Sequence, residues 1–181
     1  MIYESEGDSR RAQDALNKLE ASLVIDVVNM LDIVRASKCY HANFFVRKLI
    51  TDHYDLCGNI IIDKLNNRDN DNGVLLKLAE HDIGCRLFTQ LVKYAVAGSV
   101  TEAMFVDRVF SSTKVILQMA NQRNAQYIIS DAFKYCPSTK ILEILYQAIS
   151  ENRKKINRYV RRCLESIQEV QQQEDSEQCE T

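Results

Sequence analysis

Four stretches of the sequence place a planar side chain, either aromatic or arginine, at the same point of a recurring pattern. A small residue comes first, one residue intervenes, and an apolar pair follows the planar side chain. The small residues of the first three copies are Ala42, Gly84 and Ala125, which lie 42 and 41 positions apart. A weaker fourth copy has Asn157 at this position, 32 residues later. A nearly constant period of this length is typical of a helical repeat array.

The residues of this pattern that could contact a ligand fall into three sets. The planar side chains are Phe44, Arg86, Tyr127 and Tyr159. The residues immediately before them are Asn43, Cys85, Gln126 and Arg158. The residues three places after them are Arg47, Thr89, Ser130 and Arg162. Residues one and four positions apart on a helix flank a common surface, so the members of each copy can reach the same ligand group.

Motifs for catalysis and metal binding are absent from the sequence. There is no glycine-rich phosphate loop, no G-x-S-x-G and no pair of catalytic carboxylates. His41, His53 and His81 do not have the spacing of metal ligands, and we interpret them as local caps or surface residues. We therefore predict no metal, no cofactor and no enzymatic activity. A Ser or Cys that meets a His in space is the alternative that the sequence leaves open.

Composition indicates an all-helical chain in a reducing compartment. The 181 residues include only five Gly and one Pro, which is too few for the turns of a β-rich fold. No apolar run approaches 18 residues and the acidic N-terminus does not resemble a signal peptide, so we expect no membrane contact. Six cysteines without a C-x-x-C pair are typical of reduced thiols, so we expect a location in the cytoplasm or the nucleus.

Capping residues and breaks divide the chain into a first segment, a repeat domain and a tail. Residues 1–27 are predicted to be an N-terminal segment with a capping helix, and Ser9 is expected to cap a helix from Arg10 to Ala36 with a break near Ser22 or Asn29. The repeat domain is predicted to span 28–168, in units of about 28–67, 73–110, 111–150 and 151–168. Residues 169–181 are predicted to form a flexible polar tail.

Each complete unit is predicted to contain three helices. The predicted helices are 28–37, 41–54 and 56–66, then 74–81, 83–97 and 100–110, then 113–121, 125–135 and 140–149. A polar loop from Asn66 to Gly73 follows the first unit. Gly98 is expected to end a helix with positive φ, and Ser99 with Glu102 has capping-box spacing. Pro137 stops the next unit's second helix, and Ser112 (or Ser111) and Ser138 are predicted caps.

The second helix of each unit resembles that of Pumilio-type (PUF) repeats. That family's pattern is a small residue, a polar residue, an aromatic residue or Arg, two apolar residues and a polar residue, and the resemblance covers about residues 28–165. It implies that single-stranded RNA binds along a concave face, one base per unit, with the planar side chains stacking between bases and the flanking residues reading base edges. The sequence departs from the family at Arg47, Thr89 and Arg162, where Gln, Glu or Ser is usual, and in having three or four units rather than eight.

A basic run near the end of the chain is a second candidate contact for RNA. Its six cations are Arg153, Lys154, Lys155, Arg158, Arg161 and Arg162. Helical spacing predicts that Lys155, Arg158, Arg161 and Arg162 share one side, where they would contact phosphates, and Lys93 with Arg86 would extend that patch. A solvated terminal helix is the alternative interpretation.

These observations predict an all-α, right-handed solenoid of three-helix units, similar in architecture to PUF and armadillo repeats. The predicted function is single-stranded RNA binding in the regulation of translation. The alternative is a non-enzymatic helical adaptor, or a globular bundle resembling apoptosis regulators, which would bind a protein or peptide in a groove. The RNA hypothesis requires Phe44, Arg86, Tyr127 and Tyr159 to be exposed in a line, whereas the adaptor hypothesis requires an exposed apolar groove.

Overall fold

A computed structural model describes residues 5–66 and 73–165, and within these residues the chain is helical with no strand. The first helices are α1 (Glu6–Leu16), α2 (Ala21–Met30), α3 (Ile33–Lys38) and α4 (Ala42–Asn66). They are followed by α5 (Gly73–Glu80), α6 (Cys85–Leu91) and α7 (Val100–Met104). The last are α8 (Thr113–Asn121), α9 (Gln126–Tyr135), α10 (Thr139–Ser150) and α11 (158–165).

The N-terminal region contains three helices where one, with a single break, was predicted. Ser5, not Ser9, caps α1, because its extended backbone lets its Oγ accept the N–H of Asp8 at 3.1 Å. The chain breaks again after Met30, where Asp32 accepts the N–H of Arg35 at 3.0 Å and so begins α3. The predicted helix 28–37 is therefore wrong, and the predicted domain boundary at residue 27 lies inside α2.

The middle of the chain follows the predicted breaks closely. Helix α4 is bent at His53, whose φ of −136° and ψ of 25° separate the two helices predicted on either side. Gly98 has a φ of 78°, and the Ser99 side chain accepts the N–H of Glu102 at 3.1 Å. The Glu102 carboxylate accepts the N–H of Gly98 at 2.8 Å and the hydroxyl of Ser138. These two hydrogen bonds lower the pKa of Glu102.

The last predicted helices are confirmed except for the start of the fourth unit. Ser112 and Ser138 cap α8 and α10 by accepting backbone N–H groups at 3.3 and 3.1 Å. Residues 151–168 were predicted to be helical throughout, but a 3-10 turn, Arg153–Lys155, comes first and α11 begins only after Asn157. The predicted loop between Asn66 and Gly73, the tail 169–181, residues 166–168 and the first four residues lie outside the described residues.

The helices that carry the repeated sequence pattern contact one another in order. The first half of α4 packs against α6, and α6 packs against α9. Helix α11 continues this order, since the Ser130 hydroxyl of α9 lies 3.3 Å from both the Tyr159 hydroxyl and the Cys163 thiol of α11. We call the first half of α4, together with α6, α9 and α11, the helix row. One continuous apolar core lies beneath it.

The small residue of the repeated pattern is buried in the first three copies, and at Gly84 the row lies too close to the preceding helix to admit a side chain. Ala42 and Ala125 are completely buried. At Gly84, an added Cβ would lie 2.5 Å from Leu78 Cδ1 and 2.7 Å from the Leu78 carbonyl oxygen. The second of these contacts involves backbone, which cannot move aside as a side chain does. The packing of α5 on α6 therefore requires glycine at this position.

We expect Gly84→Ala to lower the free energy of unfolding by about 1–3 kcal/mol, because α6 must shift away from α5. The matched control is Gly7→Ala, since a Cβ at Gly7 meets its nearest atoms only at 3.8 and 3.9 Å. Alanine is the better helix former, so the control is expected to be neutral or slightly stabilising. Urea denaturation followed by circular dichroism measures both. Wild-type stability in Gly84→Ala would contradict this account of the small position.

Candidate nucleic-acid interface

The four planar side chains of the pattern are exposed on the helix row. Phe44, Tyr127 and Tyr159 expose 39%, 46% and 38% of their surface, and Arg86 is also exposed. The next residue in each copy is Phe45, Leu87, Ile128 or Val160, and each of these is at least 95% buried. In the first three copies the second apolar residue, Val46, Phe88 or Ile129, is buried as well, whereas the fourth copy has Arg161 there. These buried residues anchor the helices to the core and turn the preceding planar residue toward solvent. We call these four exposed residues the planar row.

Hydrogen bonds across the surface hold neighbouring helices of the row in register. The Gln90 amide donates to the Thr51 hydroxyl at 2.7 Å, which joins α6 to α4. The Tyr94 hydroxyl, just after α6, donates to the Thr51 carbonyl at 3.3 Å. Beside α9, the Lys93 ammonium lies 5.2 Å from the centre of the Tyr135 ring, a cation–π contact. The spacing of the planar row is therefore fixed by direct contacts as well as by the core.

At the C-terminal end of the row, two planar residues contact one another. The rings of Tyr127 and Tyr159 have centroids 5.5 Å apart and an interplanar angle of 68°, an edge-to-face arrangement. Below them, Ser130 is fully buried and its hydroxyl lies between the Tyr159 hydroxyl and the Cys163 thiol. Ser130, a predicted base contact, is thus buried where α9 packs against α11.

The residues just before the planar row are buried in three of the four copies. Asn43 donates its amide to the carbonyls of Cys39 and Tyr40, and Gln126 donates to the Arg123 carbonyl at 2.8 Å. Cys85 donates its thiol to the Asp82 carbonyl at 3.5 Å. These side chains hold the turn that leads into each helix, and their role as base contacts stays a prediction. Arg158, the fourth member, is exposed.

The residues three places after the planar row are more accessible, with Ser130 as the exception. Thr89 is half-buried and donates its hydroxyl to the Arg86 carbonyl at 3.1 Å, and Arg162 is exposed. Arg47 is half-buried, and its Nε is buried without a hydrogen-bond partner among the described residues. Burial, and then the positive charge of Arg86, lower the pKa of Arg47. Two guanidinium groups therefore face the same junction between α4 and α6.

The basic run does not form the single helical face that its spacing predicted. Arg153, Lys154 and Lys155 lie in the 3-10 turn before α11, so helical spacing does not relate Lys155 to the arginines of α11. Arg158 and Arg162 are exposed, whereas Arg161 is half-buried and donates to the Ile156 carbonyl at 3.2 Å. The exposed cations Lys93, Arg158 and Arg162 still lie on helices of the row or in the turn that follows α6.

The histidines and cysteines have local structural roles where their contacts are described. His81 Nδ1 accepts the N–H groups of Ile83 and Gly84, both at 3.2 Å, and so stabilises the turn that precedes α6. Burial raises the pKa of Cys57 to about 11 and also raises the pKa of Cys85 and Cys136, which disfavours the thiolate. Among the described residues, no group of three or more His, Cys, Asp or Glu could hold a metal ion.

A cavity lined by both apolar and polar side chains, the latter being Asn29, Asp63 and Lys64, lies away from the planar row, between α3 and the second half of α4. It has a volume of about 420 Å³ and is lined by Leu31, Ile33 and Ile60 among others. At its rim, the Lys64 ammonium donates to the carbonyls of Asn29 and Leu31 at 2.6 and 3.1 Å. This cavity is the feature that best matches the groove required by the adaptor hypothesis.

Helix α1, which the sequence predicts only as part of a capping helix, lies beside the row and carries part of the repeated pattern. Helix α1 packs against α4, and the Ser9 hydroxyl donates to the His41 carbonyl at 2.7 Å. Ser9, Arg10 and Gln13 have the same spacing as Asn43, Phe44 and Arg47. The signal was present, but α1 has Arg11 and Ala12 in place of the apolar pair. The complete repeated pattern, which includes the apolar pair, is therefore not found on α1.

Comparisons with protein-family models, with curated proteins and with solved structures found no significant match to this chain. None of the helices within residues 5–66 and 73–165 combines the length and the apolar character needed to cross a membrane. Function must therefore be inferred from the geometry of the planar row and its surroundings.

Adjacent residues on α9 provide a stability test of the planar row. We expect Tyr127→Ala to lower the free energy of unfolding by only about 1 kcal/mol, because the ring is half exposed and loses mainly its contact with Tyr159. Ile128→Ala should cost about 2–5 kcal/mol, because it leaves a cavity in the core. Chemical denaturation measures both. Equal losses would mean that Tyr127 is an ordinary core residue.

Proposed function

We propose that this protein is a short right-handed array of three-helix units that binds single-stranded RNA along the helix row. Bases stack against Phe44, Arg86, Tyr127 and Tyr159, and the phosphates follow the neighbouring cations. The protein carries out no reaction on the RNA. It acts as a post-transcriptional regulator by occupying its target, in the manner that the resemblance to PUF repeats implies.

The observation that carries this proposal is the exposure of one planar side chain at the same place on four neighbouring helices. A protein gains no stability by exposing an aromatic ring, and the residue next to each one is buried in the core. Aromatic and guanidinium planes stack on nucleobases, which contributes about 1–3 kcal/mol per base. Four such planes in order are suited to a strand of successive bases.

The charges around the row support an anionic ligand. The chain as a whole has a net charge of −2, yet Arg47 and Arg86 face one junction of the row without a carboxylate partner among the described residues. Lys93, Arg158 and Arg162 add exposed positive charge farther along. Such a local excess of cations attracts phosphates even when the protein as a whole is slightly acidic.

The accessible polar residues are the best candidates to contact base edges. Arg47, Thr89, Arg158 and Arg162 flank the planar row and reach the surface at least in part. Asn43, Cys85, Gln126 and Ser130 are buried, so each would have to rotate before it could contact a base. We assign edge recognition to the first group, and we assign to the second group the positioning of the helices.

We expect fluorescein-labelled single-stranded oligoribonucleotides to bind at micromolar protein in a fluorescence anisotropy titration. Phe44→Ala, Arg86→Ala, Tyr127→Ala or Tyr159→Ala should each weaken binding about 5- to 150-fold, which corresponds to the loss of about 1–3 kcal/mol of stacking. Affinity should also fall with salt, with a slope of about −0.7 per phosphate neutralised.

The matched control is Tyr146→Ala, which removes an exposed tyrosine from α10, outside the helix row. It should leave RNA affinity unchanged. Absence of salt-dependent binding at micromolar protein would refute the RNA proposal. It would then favour the adaptor alternative, for which the cavity beside Leu31 is the docking site to test.

A further inference from the structure

Helix α1 stands in the same relation to α4 as the members of the helix row do to one another. Two helices, α2 and α3, separate α1 from α4 along the chain. Between α6 and α9 there are the α-helices α7 and α8, together with a 3-10 turn, Val92–Tyr94, that follows α6 and a π-helical turn, Phe105–Val109, that follows α7. In both cases the outer helices pack side by side. The arrangement of the row thus extends one helix farther toward the N-terminus.

The residues of α1 are placed like their counterparts in the row. Ser9 is 2% exposed, close to the 3% of Asn43. Asn43 hydrogen bonds within the turn before its own helix, whereas Ser9 donates to the His41 carbonyl and so joins α1 to the start of α4. Arg10 is exposed, as the planar residues of the row are. Gln13 is half-buried, as Arg47 is. Arg10 therefore occupies the place of a fifth planar side chain.

A cavity of about 330 Å³ lies between α1 and the start of α4. Glu6 and Arg10 line one side, Tyr40 and Phe44 line the other, and Ser9, Gln13 and His41 complete it. The Tyr40 ring lies edge-to-face with Phe44, with centroids 6.2 Å apart, so the aromatic side presents two rings. A planar ring fits between a guanidinium on one side and an aromatic ring on the other.

Two contacts hold the α1 side chains ready for such a ring. The Glu6 carboxylate accepts a hydrogen bond from Arg10 Nη2 at 2.5 Å. Glu6 lies one helical turn before Arg10, so this contact orients the guanidinium along α1. The Gln13 amide nitrogen donates to the carbonyl and hydroxyl oxygens of Ser9, both at 3.2 Å. The amide oxygen of Gln13 is then available to accept a hydrogen bond from the edge of a bound ring.

We propose that this cavity binds one further base of the RNA strand, stacked between Arg10 and Phe44, with Gln13 at its edge. This inference rests on the proposed function of the row. The inference goes beyond the proposed function because it extends the binding surface to α1. The sequence predicts only a capping role for that segment. Phe44 then contributes to this site as well as to the row.

The test uses the full-length protein and oligoribonucleotides lengthened one nucleotide at a time from either end. For the wild type, affinity should increase until the cavity beside α1 is filled. The double variant Arg10→Ala/Gln13→Ala should lack the last of these increases in affinity, which we expect to be about 5- to 150-fold. It should bind shorter oligonucleotides with the same affinity as the wild type. A 2-aminopurine at the terminal position should lose fluorescence on binding to the wild type, because it stacks, but not on binding to the variant.

Two controls separate stacking from charge. Arg11→Ala removes an exposed cation from the same helix and should leave the length dependence unchanged. Arg10→Lys keeps the charge but loses the plane, so it should resemble Arg10→Ala. Thermal unfolding by circular dichroism checks that each variant is folded.

The outcomes distinguish this inference from the proposal on which it rests. If the wild type binds RNA and the double variant shows the same length dependence, the cavity beside α1 is not a base site and the function of the row is unaffected. If Arg11→Ala causes the same loss as Arg10→Ala, the effect is one of charge and the stacking inference is wrong. If the wild type binds no RNA, both proposals are wrong.

Discussion

The close approach of each second helix to the helix before it is the constraint on which the arrangement depends. At Gly84 this approach leaves no space for a Cβ, and at the same point of two other copies Ala42 and Ala125 are completely buried. A residue of ordinary size there would push the second helix outward. Because these small residues recur at the same point, the second helices lie at similar depth and can pack side by side.

This constraint determines which side chains reach the surface. Once the small residue is fixed against the preceding helix, the apolar pair that begins three residues later turns into the core. The planar residue between them is left on the outer face of the helix. Exposure of Phe44, Arg86, Tyr127 and Tyr159 is therefore a consequence of helical geometry combined with packing. A ligand surface made in this way can change its planar residues without disturbing the core.

Local signals made much of the middle of the chain predictable. Gly98, Ser99, Ser112 and Ser138 each act within a few residues, through positive φ or a cap to a nearby N–H, so their effect can be read without tertiary information. The apolar stripe through residues 16–34 was misleading for the opposite reason. Leu16, Val28 and Val34 all face the same core, and the stripe continues across the breaks between α1, α2 and α3.

The burial of Asn43 and Gln126 could not be predicted from the pattern. The pattern shows that each residue is polar, but it does not show whether the side chain hydrogen bonds to water or to the backbone. The sequence predicts a capping helix at the N-terminal end, but the part of the repeated pattern that α1 carries was not recognised for a related reason. As the first helix described, it packs against the row on one side only, so it needs fewer apolar residues, and Arg11 and Ala12 stand where inner helices have an apolar pair. Ser9, Arg10 and Gln13, which match the polar and planar positions of the pattern, are then the part of the motif that remains.

The Arg47–Arg86 junction bears most directly on the nature of the ligand. Two like charges beside one another, with Arg47 Nε buried and unpaired among the described residues, oppose folding in the absence of a partner. The cross-helix bond between Thr51 and Gln90, one helical turn farther along, keeps the two helices together despite this repulsion. An anion at the junction would pair with both guanidinium groups and remove the repulsion. A peptide would need an acidic residue at that point, whereas a nucleic-acid strand supplies a negative charge at every step.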